Sequence, residues 1–241
     1  MIRRSRLKAN YSTLMTTVST KASSRIDPTF FREVAPYTMP FILFAALTYL
    51  NDLAGFHPAL GYAAKTFLVA VCLILFRKSY RPEIRVRFGF LDVLAGVLVF
   101  LIWIGFEGAY PLLASPSGFD PYAMSNGLAV ATAFITIRLL GAVLVVPIME
   151  ELFWRSFAMR FLIDSKFKSI PLGRFTWFSF LMVSLAFGLE HHRWLPGIIA
   201  GLIFAGLLYR NKNLFSPILA HAVANLLLGL YVITTQHWQF W

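Results

Sequence analysis

The apolar stretches of this sequence hold few ionisable residues, and most of these are of reactive types. Prominent among them are Glu107, Arg138, Glu150, Glu151, Arg155, Glu190, His191, His192 and His221, with Asn225 as a neutral companion. Within a bilayer each such ion costs about 2.5–3.5 kcal/mol or more at mid-depth, so each is a candidate functional group. In Met149-Glu150-Glu151-Leu152-Phe153-Trp154-Arg155, a helix pairs Glu151 with Arg155 at i,i+4, the acid being N-terminal. Glu150 lies about 100° round that helix and is left free for chemistry. Pro147 removes a backbone bond just before the pair and allows a local opening. In Phe187-Gly188-Leu189-Glu190-His191-His192, Phe187 and His191 share a face and His192 points elsewhere; histidine can serve as base, acid or ligand. In His221-Ala-Val-Ala-Asn225, both end residues can donate hydrogen bonds and line an oxyanion hole. Each pattern has a plainer reading: solvated acids at a helix end, interfacial histidines, or an interhelical hydrogen bond.

The surrounding composition puts these residues in a membrane. Of 241 residues, 58% are hydrophobic and 14% charged, against roughly 45–50% and about 25% in soluble domains. Mean hydropathy is +0.68. One water-soluble core cannot hide that much apolar surface. Disorder and a disulfide scaffold are excluded on the same grounds, since Cys72 is the single cysteine. Apolar runs at about 34–50, 59–76, 91–113, 128–149, 175–191, 196–209 and 214–235 predict an all-α transmembrane bundle of seven spans, or eight if 128–163 is broken in two. Pro196 suits the first turn of the sixth span. No inverted repeat is present, which counts against a transporter using Glu and His as a proton relay.

The net charge of +11 has a topological explanation. Nineteen of the 22 Lys and Arg fall before the first span or after the second, fourth and sixth. All of these segments lie on one side of a seven-span bundle, which predicts a cytoplasmic N-terminus and an outer C-terminus. Anionic lipid headgroups are the partners expected for these cations. Nucleic acid is not, because no recognition motif surrounds them. Residues 1–32 read as a basic, poorly ordered cytoplasmic tail, and 33–241 as one transmembrane domain with its motifs in 141–230. The loop Ser115-Pro-Ser-Gly-Phe-Asp-Pro121 is turn-rich, and Gln236-His-Trp-Gln-Phe-Trp241 fits an interfacial anchor.

Together, Glu-Glu-x-x-x-Arg at 150–155, Phe-x-x-x-His at 187–191 and His-x-x-x-Asn at 221–225 resemble the three motifs of the CAAX protease and bacteriocin-processing (CPBP, or Abi) family of intramembrane glutamate proteases. Val-Pro-Ile-Met-Glu-Glu-Leu-Phe-Trp-Arg-Ser-Phe, Phe-Gly-Leu-Glu-His-His and Trp-Gln-Phe-Trp further resemble its bacterial branch associated with exosortase and PEP-CTERM systems. The resemblance implies a multi-pass protein of the bacterial inner membrane that cleaves a membrane-associated protein or peptide without a cofactor. By the same resemblance, Glu150 is the base that activates water and His191 holds that water. His221 and Asn225 stabilise the oxyanion, and Glu151 and Arg155 form a supporting pair. The family asks for one histidine after the phenylalanine; here His192 adjoins His191, as a supporting partner or the water binder itself.

Two other readings use the same residues. Glu150, His191, His192 and His221 could form a zinc site, although no His-Glu-x-x-His helix is present. A non-catalytic binding or immunity-type protein could use the polar pocket to hold a peptide or lipid. Ideal spans raise a difficulty for all of these. At 1.5 Å per residue, Glu150 lies about 33 Å below the outer start of its span, His191 about 25 Å up from Arg174, and His221 about 12 Å in from Asn213. The preferred remedy starts the fourth helix near 136, with 121–134 as an outer interfacial segment.

Overall fold

The computed structural model describes residues 28–55, 57–114, 118–125 and 127–241. Most of the basic tail and part of the 115–121 loop lie outside the described residues. The chain divides into residues 1–31 and a unit from Arg32 to Trp241. Helix α1 (Pro28–Ala54) begins in the first and lies mostly in the second.

Six further helices follow: α2 (Pro58–Tyr80), α3 (Phe90–Gly105), a continuous α4 from Leu128 to Phe161, α5 (Trp177–Leu189), α6 (Trp194–Asn211) and α7 (Phe215–Thr235). The described residues contain no strand. Five helices, α1, α2, α4, α6 and α7, are long and apolar enough to cross a membrane, whereas α3 and α5 are shorter apolar helices. The expected helix start near 136 is incorrect. The helix begins at Leu128 behind Gly127, whose φ of 128° turns the chain into it. Its 34 residues span roughly 51 Å, beyond a hydrocarbon core of about 30 Å.

Helix α5 is short: its 13 residues rise only about 20 Å, and His191 lies just past its end. Helix α5 lies against α6 through small residues, with Ser184 and Gly188 facing Gly197 and Gly201. In an apolar solvent this close backbone approach is the main source of helix–helix attraction. A Cβ at Gly188 would meet the Ile198 backbone nitrogen at 2.5 Å and the Trp194 carbonyl at 2.7 Å. Backbone cannot yield as a flexible side chain does. Gly188→Ala should therefore separate the hairpin beside His191 and lower stability by about 1–3 kcal/mol. Gly206→Ala, with nothing within 4 Å of the added atom, is the control and should be neutral. Thermal unfolding in detergent tests the pair.

The hairpin tip is covered. The Leu113 amide donates to the His192 carbonyl at 3.1 Å, and Trp194 Nε1 to the Pro111 carbonyl at 2.9 Å. Arg193 forms a two-pronged pair with Glu107 at 2.7 and 2.8 Å and donates to the Gln239 carbonyl at 3.1 Å. The C-terminal Trp238–Phe240 turn thus packs over the same tip. At the opposite end, Arg160 binds both oxygens of Glu83 at 2.9 and 3.1 Å, Tyr37 donates to Glu83 at 3.0 Å, and Ser156 is also bonded to Glu83. Glu83→Ala leaves a buried, unpaired Arg160 and is expected to lower stability by about 3 kcal/mol, read as thermal unfolding in detergent.

Candidate active site

Helix α4 carries the paired glutamates and departs from α-helical spacing on both sides of them. Gly141–Val145 and Leu152–Ala158 are π-helical. Such turns often mark functional sites. In the first, the Val146 amide bonds to the Gly141 carbonyl. The next bond in that register would join residue 147 to the Ala142 carbonyl, but Pro147 has no N–H. Asn225 of α7 supplies the donor, its Nδ2 lying 2.8 Å from the Ala142 carbonyl. This ties α7 to α4 and leaves the second amide N–H of Asn225 free.

The i,i+4 pair is formed: Arg155 Nε lies 3.0 Å from Glu151 Oε2, with side-chain exposures of 1% and 0%. The other Glu151 oxygen accepts from His221 Nδ1 at 3.0 Å. Glu151 therefore joins arginine to histidine, a link that sequence spacing did not suggest. Nothing local encodes it, because His221 arrives from a helix 70 residues later. His221 Nε2 faces Glu150 Oε2 at 4.0 Å. Glu150 is buried and its Oε2 has no hydrogen-bond partner.

Two aromatic residues organise the cations. Phe187, fully buried, carries the Arg155 guanidinium over its ring at 4.0 Å. The same ring lies 5.1 Å from His191 and 6.1 Å from His221, centroid to centroid. The four-residue spacing in the second motif thus serves a phenylalanine that adjoins both histidines. Phe204 of α6 stacks on His221 at 5.0 Å and 20° and also lies under Arg155 at 5.3 Å. Sequence reasoning missed Phe204, since one aromatic among 24 phenylalanines gives no signal.

His191 Nδ1 is bonded to the Phe187 carbonyl at 2.8 Å. A carbonyl only accepts, so Nδ1 carries the proton and Nε2 of the neutral ring is an acceptor. Trp103 meets His191 edge-on at 5.4 Å. His192 is exposed and faces different cavities from His221. The remaining ionisable residues of the apolar stretches lie outside this cluster or at its edge. Glu107 pairs with Arg193, Glu190 accepts from Trp154 Nε1 at 2.9 Å, and Arg138 lies apart.

Beside His221 and Asn225 is a cavity of about 50 Å³, walled by Val99, Trp103, Phe187 and Phe204. That is room for a few water molecules. Among the described residues, no group of three or more His, Cys, Asp and Glu is arranged to hold a metal ion.

A helical membrane bundle that buries a Glu, His, Arg and Asn cluster beside a small cavity has the equipment of a hydrolase that works on water. Residues 132–227 match the family described as type II CAAX prenyl endopeptidase, Rce1-like, a likeness that points to a membrane protease. The match contains all three motifs. No curated protein and no solved structure matches the chain.

Proposed function

We propose that the protein is an intramembrane endopeptidase that hydrolyses a peptide bond of a membrane-associated protein or peptide with a water activated by Glu150 and His191. The supporting observation is the Glu150 Oε2 without a hydrogen-bond partner, 4.0 Å from Nε2 of His221, a residue that with Asn225 lines the small cavity.

Glu150 takes a proton from the water, His191 Nε2 holds its second hydrogen, and the water oxygen attacks the scissile carbonyl carbon. The oxyanion receives hydrogen bonds from His221 and from the free N–H of Asn225. With Nδ1–H donated to Glu151, His221 has a second N–H at Nε2 only in its doubly protonated form, and Glu151 is the counter-charge for that form. Glu150 then passes its proton to the leaving nitrogen as the C–N bond breaks. This sequence needs no serine, cysteine or cofactor. The exosortase-associated likeness of the motifs directs the search for a substrate to bacterial inner-membrane proteins, with the N-terminus and basic segments cytoplasmic against anionic lipid.

The test compares membrane and secreted proteomes of cells carrying wild type or Glu150→Ala. An uncut species that accumulates in the variant names the substrate and supports the reading. Identical proteomes would transfer the assignment to a binding or immunity-type protein. Activity lost in strong chelator and restored by zinc would favour the metal reading instead.

A further inference from the structure

Lys65 of α2 and Arg138 of α4 take no part in the chemistry above, yet both lie inside apolar helices. Lys65 is seven residues past Pro58 and Arg138 ten past Leu128, about 10 Å and 15 Å along their helices. Neither forms an ion pair among the described residues. Lys65 donates once, to Thr48 Oγ1 at 2.8 Å, and lies over Phe44 at 4.4 Å. Arg138 sits among the rings of Tyr62, Phe119 and Trp241 at 4.8, 5.4 and 5.5 Å. Aromatic faces offset part of the desolvation of a cation but leave its donors unused. Both cations lie within 5.2 Å of the Tyr62 centroid.

The two cations line a cavity of about 470 Å³, large enough for a peptide side chain and its neighbours. Asp52 and His192 also line it, and Asp52 is not within ion-pair distance of either cation. Two cationic side chains thus face one acidic side chain on this wall, an excess that suits a carboxylate ligand. Neighbouring cavities lie between this cavity and the catalytic centre. It shares His192 and Trp241 with a middle cavity of about 240 Å³, which includes His191. The middle cavity shares Trp103 and Leu228 with the one beside His221 and Asn225.

We propose that Lys65 and Arg138 form an anion subsite that binds a carboxylate of the peptide substrate, either its C-terminus or an acidic side chain near the cut bond. The subsite rests on the peptidase reading for its ligand. Arg138 offers a planar fork to the carboxylate and Lys65 a point charge.

The test is calorimetric titration of the full-length protein in uncharged detergent with N-acetyl-Phe-Leu as free acid, the same dipeptide as amide, and N-acetyl-Phe-Asp-amide. At least one carboxylate probe should bind about tenfold or more tightly than N-acetyl-Phe-Leu-amide; which one does so identifies the source of the charge. Arg138→Gln and Lys65→Met should each abolish the preference, while Arg138→Lys, which keeps the charge, should retain part of it. Equal binding of acids and amide, or a preference unchanged in both neutral variants, overturns the proposal. So does Arg138-dependent binding of inorganic phosphate or phosphatidylglycerol in place of the carboxylates. Glu150→Gln separates the two readings. It should keep the carboxylate preference, so a preference without Glu150-dependent cleavage removes only the peptidase. Glu150-dependent cleavage without a preference removes only the subsite.

Discussion

Glu150→Gln is expected to slow peptide hydrolysis by about 10²–10⁴-fold, the contribution of a positioned general base, without lowering thermal stability. The stability half follows from the pairing pattern. Glu150 is buried, is not paired with Arg155, and has an Oε2 without a hydrogen-bond partner. A buried carboxylate with an unbonded oxygen, whose ion-pair contact is a histidine at the long distance of 4.0 Å, is a net burden on the fold, and a neutral amide of the same shape lightens it. The melting temperature of the variant should equal or exceed that of the wild type, as is common where function holds a group in an unfavourable place. Glu150→Asp, which keeps the charge but withdraws it by one methylene, should lose activity through geometry alone. Cleavage rates with the captured substrate and melting curves in detergent decide the matter. A Glu150→Gln protein that cleaves at the wild-type rate, or that melts several degrees lower, contradicts this role.

Much of this arrangement was legible in the residues. Seven apolar runs anticipated seven apolar helices, because hydrophobic length is the dominant signal in a bilayer. The ion pair of Glu151 with Arg155 followed from helical spacing alone. Depth was not legible. Ideal spans placed Glu150, His191 and His221 at incompatible levels, and a start for α4 near 136 did not repair them. The structure nonetheless brings them together around one ring: Phe187 adjoins both His191 and His221, and His221 faces Glu150 at 4.0 Å. Links between distant segments were equally hidden. Asn225 bonding to the carbonyl that Pro147 cannot serve needs a π-register that sequence periodicity does not reveal. The carboxylate shared between Arg155 and His221 needs two helices 70 residues apart.

The neighbouring glutamate should behave in the opposite way. Glu151→Ala removes at one stroke the partner of Arg155 and the acceptor of His221 Nδ1. Arg155 is 1% exposed, and an uncompensated charge at such depth costs about 3–5 kcal/mol. The rings of Phe187 and Phe204 hold the guanidinium but cannot accept its hydrogen bonds. At about 2–4 °C per kcal/mol for a chain of this size, the melting temperature should fall by roughly 6 °C or more. Activity should fall too, because His221 loses both its orientation and its counter-charge. The two losses can be pulled apart by removing both charges together. In Glu151→Gln with Arg155→Met, neither member of the pair is left as a buried ion without the other, so stability should return to near the wild-type value. Activity should stay down by about 10²–10⁴-fold, the scale seen when the carboxylate behind a catalytic histidine becomes an amide. If cleavage recovered along with the melting temperature, Glu151 would be only a brace for Arg155, and the oxyanion role of His221 would lose its electrostatic support.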